Sequence, residues 1–416
     1  MKLDEIDLAD PDIFLYGDPH SAWKMMREED PVHWTQKESK RGFWFITRHA
    51  DALAVYRNPT TFSSAHGISI GFNDGQEQGP AELYGQGKMM LVTDPPRHGK
   101  QRMLLNKRFT PRALAPTEHH VRTVCTSIID SIVDKGECDF VVDVAAKLPT
   151  AVICEMMGIP REDWELMYAI ANMSVGASDP EYQIEGSVRA TGKQAQQEAF
   201  NYFVKMIAQR RQRPGTDLVS ALVQGEIDGE KLDDIEVLFN CWLLIIAGNE
   251  TTRNATSGGI LALMENPSER VRIKEDNTVM PTAIEEILRW TTPITHLMRT
   301  ASRDVEFRGR KIRQGDRVVV WNASADRDDE VFQNPDRFDI GRTPNEHIAF
   351  GYGEHFCLGA NLARLQLKVM VEELTRRLPD IELAGPVQRL RSNLVAGIKH
   401  MPVRFTPQLD ARSSRV

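Results

Sequence analysis

Cys357 stands where a cysteine can be held as a thiolate. It leaves a glycine-rich loop, Phe350-Gly351-Tyr352-Gly353-Glu354-His355-Phe356, and precedes Leu358-Gly359 and a helical pattern. Unpaired N–H groups and the positive end of the helix dipole at such a junction favour the ionised sulfur. Gly351 and Gly353 permit backbone angles that other residues resist, so the loop can turn tightly. Gly359 removes a side chain where a flat cofactor can lie against the helix. A lone cysteine in an ordinary loop is more often a buried structural residue. The unbroken string from Phe350 to Arg364 shifts that balance.

Three further constellations carry chemical potential. Ala247-Gly248-Asn249-Glu250-Thr251-Thr252 interrupts a long apolar helical run just after Leu243-Leu244-Ile245-Ile246. Glycine, β-branched threonine and charge are poor helix-interior choices, so a buried acid and hydroxyl there need a reason. Glu286 and Arg289 share a helix face, as do His98 and Arg102 at a spacing of four. Pairs of this kind are commonly exposed and worth little.

The Cys357 string resembles the haem-ligand loop of the cytochrome P450 family, Phe-Gly-x-Gly-x-His-x-Cys-x-Gly, followed by that family's Leu-Ala-Arg at Leu362-Ala363-Arg364. The resemblance implies haem b with Cys357 as axial iron ligand and metal-binding residue. It implies Phe350 near the sulfur and His355 aimed at a haem propionate. Ala247 and Gly248 would line the haem face of the long helix, with Gly248 leaving space for dioxygen. Glu250 and Thr251 match the family's acid–alcohol pair. A hydroxyl can donate and hold a water, and a carboxylate can relay protons from solvent. His98, Arg102 and Arg299 match propionate-binding positions, where guanidinium–carboxylate pairs are charge-assisted. Glu286, Arg289 and Arg337, the last in Pro335-Asp336-Arg337-Phe338, match a structural lock beneath the haem.

The elements that must position these residues are mainly helical. Helices are predicted over 18–29, 48–57, 95–108, 117–135, 146–158, 190–213, 281–290 and 358–377, and the longest over 232–265. Strands are predicted over 43–47 and 318–321, and a hairpin over 392–405. Two segments, 66–90 and 177–192, read as loop covers. The expected fold is mainly α with a minor β region: one large cytochrome P450 domain over 1–416, its long central helix crossing the haem. Residues 1–15 and 408–416 are expected to be flexible ends.

Composition agrees with a globular enzyme. The chain has 416 residues, 41% hydrophobic and 26% charged, and its net charge of −8 argues against nucleic-acid binding. The first twenty residues lack an apolar run, so no signal peptide or membrane anchor is expected. Five cysteines without C-x-x-C spacing read as reduced and cytoplasmic.

By family position the substrate pocket draws on Met89, Met90, Ala171–Val175, Leu244, Ile294, His296, Leu297, Leu394 and Val395. His296 can bond a polar group or simply be a packed histidine. The stretch 97–112 carries Arg97, Lys100, Lys107, Arg108 and Arg112 with no acid, a docking patch for an acidic electron carrier. The expected activity is monooxygenation of a lipophilic sterol, terpenoid or branched lipid. It would use O2 and NAD(P)H electrons through a separate ferredoxin or flavodoxin with its reductase, in a monomer. A peroxide-driven peroxygenase and a non-catalytic haem sensor or carrier are the rivals. The Glu250-Thr251 pair argues against both.

Overall fold

A computed structural model of the chain describes residues 3, 6–36, 42–70 and 85–408. The helices that matter here are α1 (Pro19–Glu29), α2 (His49–Tyr56), α3 (Arg97–Asn106), α4 (Thr117–Asp130), α5 (Lys147–Met157), α6 (Trp164–Val175), α7 (Val188–Gln212), α8 (Asp234–Glu265), α9 (Met280–Thr291) and α10 (Ala360–Arg377). The strands are β1 (Val32–Thr35), β2 (Phe43–Ile46), β3 (Phe62–Ser63), β4 (Glu137–Asp139), β5 (Leu297–Ala301), β6 (Arg317–Val320), β7 (Glu382–Leu383), β8 (Gln388–Arg389), β9 (Ile398–His400) and β10 (Pro402–Arg404).

Helix α8 is the axis. Its start is set by a capping box: Asp233 accepts from the Glu236 N–H at 2.7 Å, and Glu236 accepts from the Asp233 N–H at 3.1 Å. Its 32 residues give a length of roughly 48 Å at about 1.5 Å per residue. It packs on α5, α6, α7, α9 and α10. Close approach needs missing side chains. A Cβ on Gly259 would lie 2.5 Å from Ile287 Cγ2 of α9, and one on Gly248 would lie 2.9 Å from Ile153 Cγ1 of α5. Gly248 therefore serves helix packing, because Ile153 fills the space that its side chain would take. The expectation that it leaves room for dioxygen is corrected on that ground.

The main sheet runs β1-β2-β6-β5-β3. β6 lies parallel to β2 and antiparallel to β5, and pairs Val318 with Arg299. Val318, Val319 and Val320 are fully buried, as an apolar central strand should be. No helix among the described residues is long and apolar enough to cross a membrane.

Several sequence expectations change. The predicted C-terminal hairpin divides at Met401: β9 pairs with β8, whereas β10 pairs with β7 and β4. Met401 is fully buried and bonds Phe140 N–H through its carbonyl at 2.9 Å, which sends the two strands to different sheets. Helix α4 stops at Asp130, short of 135, and turns lead to Gly136 at φ +78°. Helix α6 was not expected at all. Its sequence, WELMYAIANMSV, is largely apolar and shows no amphipathic stripe. The N-terminal end is not loose where it is described: Ile6 and Leu8 are buried against Trp23 and Met26. The far end, from 409, lies outside the described residues, as does 71–84 of the first cover. The second cover is pinned. Asp179 accepts from Arg391 N–H and Lys399 Nζ, each at 2.9 Å, and its last residues already belong to α7.

The lock on α9 is more extensive than the sequence suggests. Glu286 and Arg289 are both fully buried and meet through two bonds of 2.8 Å. Arg289 also donates to the carbonyls of Asp326, Pro335 and Arg337, at 2.9, 2.9 and 3.3 Å. Glu286 accepts from Asp339 N–H at 2.9 Å, Arg342 at 3.0 Å and Asn345 at 3.1 Å. Arg342, not Arg337, is the third charged side chain. Arg337 points its side chain to solvent and offers only its carbonyl. Removing one member strands a buried charge. Replacing Glu286 by Gln is therefore expected to cost about 3–5 kcal/mol, read as a lower urea midpoint. An unchanged midpoint would refute this account of the lock.

Candidate active site

The Cys357 loop folds back on itself. Gly351 and Gly353 hold φ +68° and +71°, angles that disfavour any side chain. Gly353 has a second reason: a Cβ there would lie 2.6 Å from the Tyr56 carbonyl oxygen of α2. Gly351 N–H donates to Ile348 O at 2.8 Å, Phe356 N–H to Gly353 O at 3.0 Å, and Cys357 N–H to Phe350 O at 3.0 Å. Arg364 of α10 lies over the Phe350 ring at 4.7 Å and is held by Glu285 through two bonds of 2.7 Å.

Cys357 keeps some accessible surface, yet its sulfur sits deep in protein. That burial pushes the thiol up, while the Gly359 N–H, Arg102 and Arg364 oppose it. Burial also pushes Cys125, Cys138 and Cys154 up, each to about 12. Cys357 differs from them by the backbone N–H aimed at its sulfur. Among the described residues, the place of a Gly359 Cβ is approached within 4 Å only by Cys357 Sγ, at 4.0 Å.

Beside the loop is a cluster of cations and imidazoles. His98 of α3 and His355 of the loop pack with ring centroids 3.9 Å apart and planes tilted by 34°. Burial pulls His98 down to about 4 and His355 to about 2, so both are neutral near pH 7. His98 Nδ1 and His355 Nε2 are buried and lack a hydrogen-bond partner. Arg299 of β5 is buried, lies over the Tyr56 ring at 5.2 Å, and donates to Met298 O at 2.8 Å. Neither Arg299 nor Arg102 pairs with a carboxylate among the described residues, and both depress the two imidazoles. A buried guanidinium, a half-buried one beside it and orphaned imidazole nitrogens want an anionic partner. The set would suit the carboxylates of a haem, with Cys357 as the residue that would hold its iron.

On α8, Ala247 is exposed in the middle of an otherwise buried helix, so this face of α8 is open. Thr251 shares that face and donates its hydroxyl to Ala247 O at 2.9 Å. Glu250 is buried and ion-paired with Arg253 one turn on. Arg253 also donates to Asn172 Oδ1 of α6 at 2.6 Å and lies 5.9 Å from the Tyr168 ring centroid. Burial pushes the Glu250 carboxyl up, against the pull of Arg253. The direct solvent relay expected of Glu250 is corrected: the carboxylate is closed off by this pair. Arg253 was legible as an i+3 partner; Asn172 was not, because only the fold brings α6 to it.

The pocket residues divide. Met89 and Met90 pack with Val92, Phe239 and Leu243 in one apolar cluster, which Leu358 also touches. Ile294 bridges to Val395, and Thr295 N–H donates to Leu394 O at 2.9 Å, so these two segments form one wall. Leu244 is buried on α8, and Leu297 is the nearest side chain to the Cβ place of Gly351, at 3.8 Å. His296 does not fit the pocket role. It is fully buried, its Nε2 accepts from Ile70 N–H at 3.3 Å, its Nδ1 lies 3.0 Å from Asn393 O, and it packs on Trp321. It is a packed histidine, and burial lowers it to about 4.

The basic patch is partly neutralised. Arg97 pairs with Glu236, and Lys100 reaches Asp228 at 2.6 Å. Lys107 and Arg112 remain exposed, with Arg108 half-buried between them.

The comparisons with known proteins agree with this geometry. The family profile described as Cytochrome P450 matches residues 18–379. The chain is 37% identical over 412 residues to a steroid C26-monooxygenase of Mycobacterium tuberculosis, covering 97% of this chain and 98% of that protein. It is 37% identical over 415 residues to a methyl-branched lipid omega-hydroxylase of the same organism, covering 97% and 95%. A Mycobacterium marinum cytochrome P450 solved in complex with pseudoionone superposes with a TM-score of 0.90 at 38% identity, covering 97% and 99%. With a profile match over most of its length and relatives above one third identity, this chain belongs to the cytochrome P450 family and is a monooxygenase of that kind.

Proposed function

We propose that the enzyme hydroxylates a lipophilic small molecule of the sterol, terpenoid or branched-lipid classes. Electrons come from NAD(P)H through a separate ferredoxin or flavodoxin. The observation that carries the substrate class is the wall around Met89 and Met90. There Met89 and Met90 pack with Val92, Phe239 and Leu243, and Leu358, the neighbour of Cys357, packs against them. Methionine suits such a surface because it adapts to irregular ligands. The relatives act, by their names, on a steroid and a methyl-branched lipid, in keeping with that wall.

Haem b, when bound, supplies an iron that activates dioxygen, aided by electron density pushed from a thiolate. The chain's own residues divide the remaining work. Cys357 holds the iron, with the Gly359 N–H and Arg102 favouring its ionised form. Arg102, Arg299, His98 and His355 anchor the propionates. Thr251 gives its hydroxyl proton to Ala247 O, so its oxygen is free to hold a water on the open side of α8. Turning away from that carbonyl releases the proton for delivery. Glu250 takes part in proton supply only when Arg253 lets it go. Lys107, Arg108 and Arg112 offer the electron carrier a small basic surface.

Two variants test this reading. Cys357→His is expected to retain some haem while the reduced carbon-monoxide complex loses its thiolate-type red-shifted band. A band that persists assigns the iron to another residue. Thr251→Ala is expected to keep consuming NADPH and O2 while product falls, toward the roughly 10²-fold that a positioned proton donor contributes, and hydrogen peroxide rises. Full coupling of product to NADPH in that variant would make the hydroxyl structural.

A further inference from the structure

We propose that Asn240 is the positioning residue that sets where the Met89–Met90 wall stands, and so which lipophilic molecules the pocket admits. The inference rests on the reading of Met89 and Met90 as pocket wall. Asn240 lies on α8, two turns before Ala247, and is 2% exposed. Asparagine inside a helix is unfavourable by itself, since its side chain competes for backbone partners. Here its amide is fully engaged, in two of three bonds outside its own helix. Its Oδ1 accepts from Met90 N–H at 3.0 Å, and its Nδ2 donates to Lys88 O at 3.0 Å. The second Nδ2 proton goes to Glu236 O at 2.8 Å.

The amide thus spans Met89 as a neighbouring strand would, bonding the residue before it and the residue after it. Met89 between them is extended, at φ −80° and ψ 129°. Gln101 of α3 adds a second donor to Lys88 O at 3.0 Å. The side chains flanking Asn240 along the same helix, Phe239 and Leu243, are the ones on which Met89 and Met90 pack. One residue therefore ties the segment's backbone at the place where its neighbours receive the segment's side chains. Lys88 also reaches the start of α8 through its side chain, Nζ to Asp233 at 2.5 Å, and the other ties are local: Thr93 Oγ1 donates to Met89 O at 2.8 Å, and Met89 N–H to Gly85 O at 2.7 Å. None of these links the Met90 N–H to the rest of the protein, so losing Asn240 leaves that buried donor unpaired and lets the wall shift.

The test uses the haem-loaded enzyme with two probes of different shape, pseudoionone and testosterone, titrated by the haem absorbance change. Deuterium exchange over residues 85–93 is followed in parallel. Asn240→Leu keeps the branched heavy-atom skeleton and removes the bonds. It is expected to speed exchange of the Met90 amide by tenfold or more and to change the ratio of the two probe affinities by about fivefold to tenfold. Haem uptake should stay normal. In a Met89→Ala, Met90→Ala background the same substitution should change the ratio less than twofold, because the side chains it positions are gone. Gln101→Leu should shift the ratio in the same direction by a smaller factor, and it carries the test if Asn240→Leu does not fold. Faster exchange with an unchanged affinity ratio overturns the proposal and leaves Asn240 a structural residue. A full effect in the double-alanine background overturns it also. If the double-alanine enzyme alone binds both probes as before, it is the pocket reading that fails.

Discussion

The buried Glu286–Arg289 pair is the constraint on which the rest of this molecule depends. Two opposite charges with no exposure are tolerable only if every remaining lone pair and proton is satisfied. The chain meets that demand with backbone. Arg289 collects the carbonyls of Asp326, Pro335 and Arg337, and Glu286 collects the Asp339 N–H together with Arg342 and Asn345. A stretch of about twenty residues without long helix or strand is thereby held as firmly as regular structure. Asp326 then passes the order on, taking Ile348 N–H at 2.7 Å and Thr292 Oγ1 at 2.9 Å. Ile348 O receives Gly351 N–H, which begins the Cys357 loop. The sulfur's position is thus inherited from an ion pair on α9.

Against this fixed side stands α8, whose polar residues do separate jobs on separate faces. Thr251 and Ala247 share the open face. Gly248 and Gly259 let α5 and α9 come close. Glu250 and Arg253 neutralise each other toward α6, where Asn172 and Tyr168 complete the surroundings. Asn240, nearer the N-terminus, ties down the Met89–Met90 segment. Most of these polar groups find a tertiary partner or a carbonyl one turn back, while Asn249 keeps both side-chain polar atoms buried without one. The acid beside Thr251 is consequently enclosed: Glu250 is bound to Arg253, which α6 holds through Asn172.

Electrostatics explains why the imidazoles and guanidiniums around the loop do not simply repel one another. His98 and His355 are kept neutral by burial and by the neighbouring arginines, so only Arg102 and Arg299 carry charge near pH 7. Two cations and two neutral hydrogen-bonding rings suit a pair of carboxylates. Four cations would suit them less well, because the excess charge would have to be buried.

By itself the sequence determined the local and covalently close features. The glycines of the Cys357 loop, the capping box of α8, the extent of most long helices and the pairing of Glu286 with Arg289 follow from short spacings and backbone chemistry, which need no distant partner. For Cys357, His98, Arg102 and Arg299 the sequence supplied a motif and an order along the chain, on which their haem-binding roles are proposed. What only the tertiary structure decided is everything that turns on which elements meet. Arg342 replaced Arg337 in the lock, Gly248 proved to serve Ile153, His296 turned into packing, and the C-terminal strands parted at Met401. Arg97 and Lys100 were neutralised by acids more than a hundred residues away, and Glu250 acquired Asn172 through Arg253. Spacing along a chain fixes neighbours on one helix face, but the partner of a buried polar group is set by packing across the core, which no local pattern encodes.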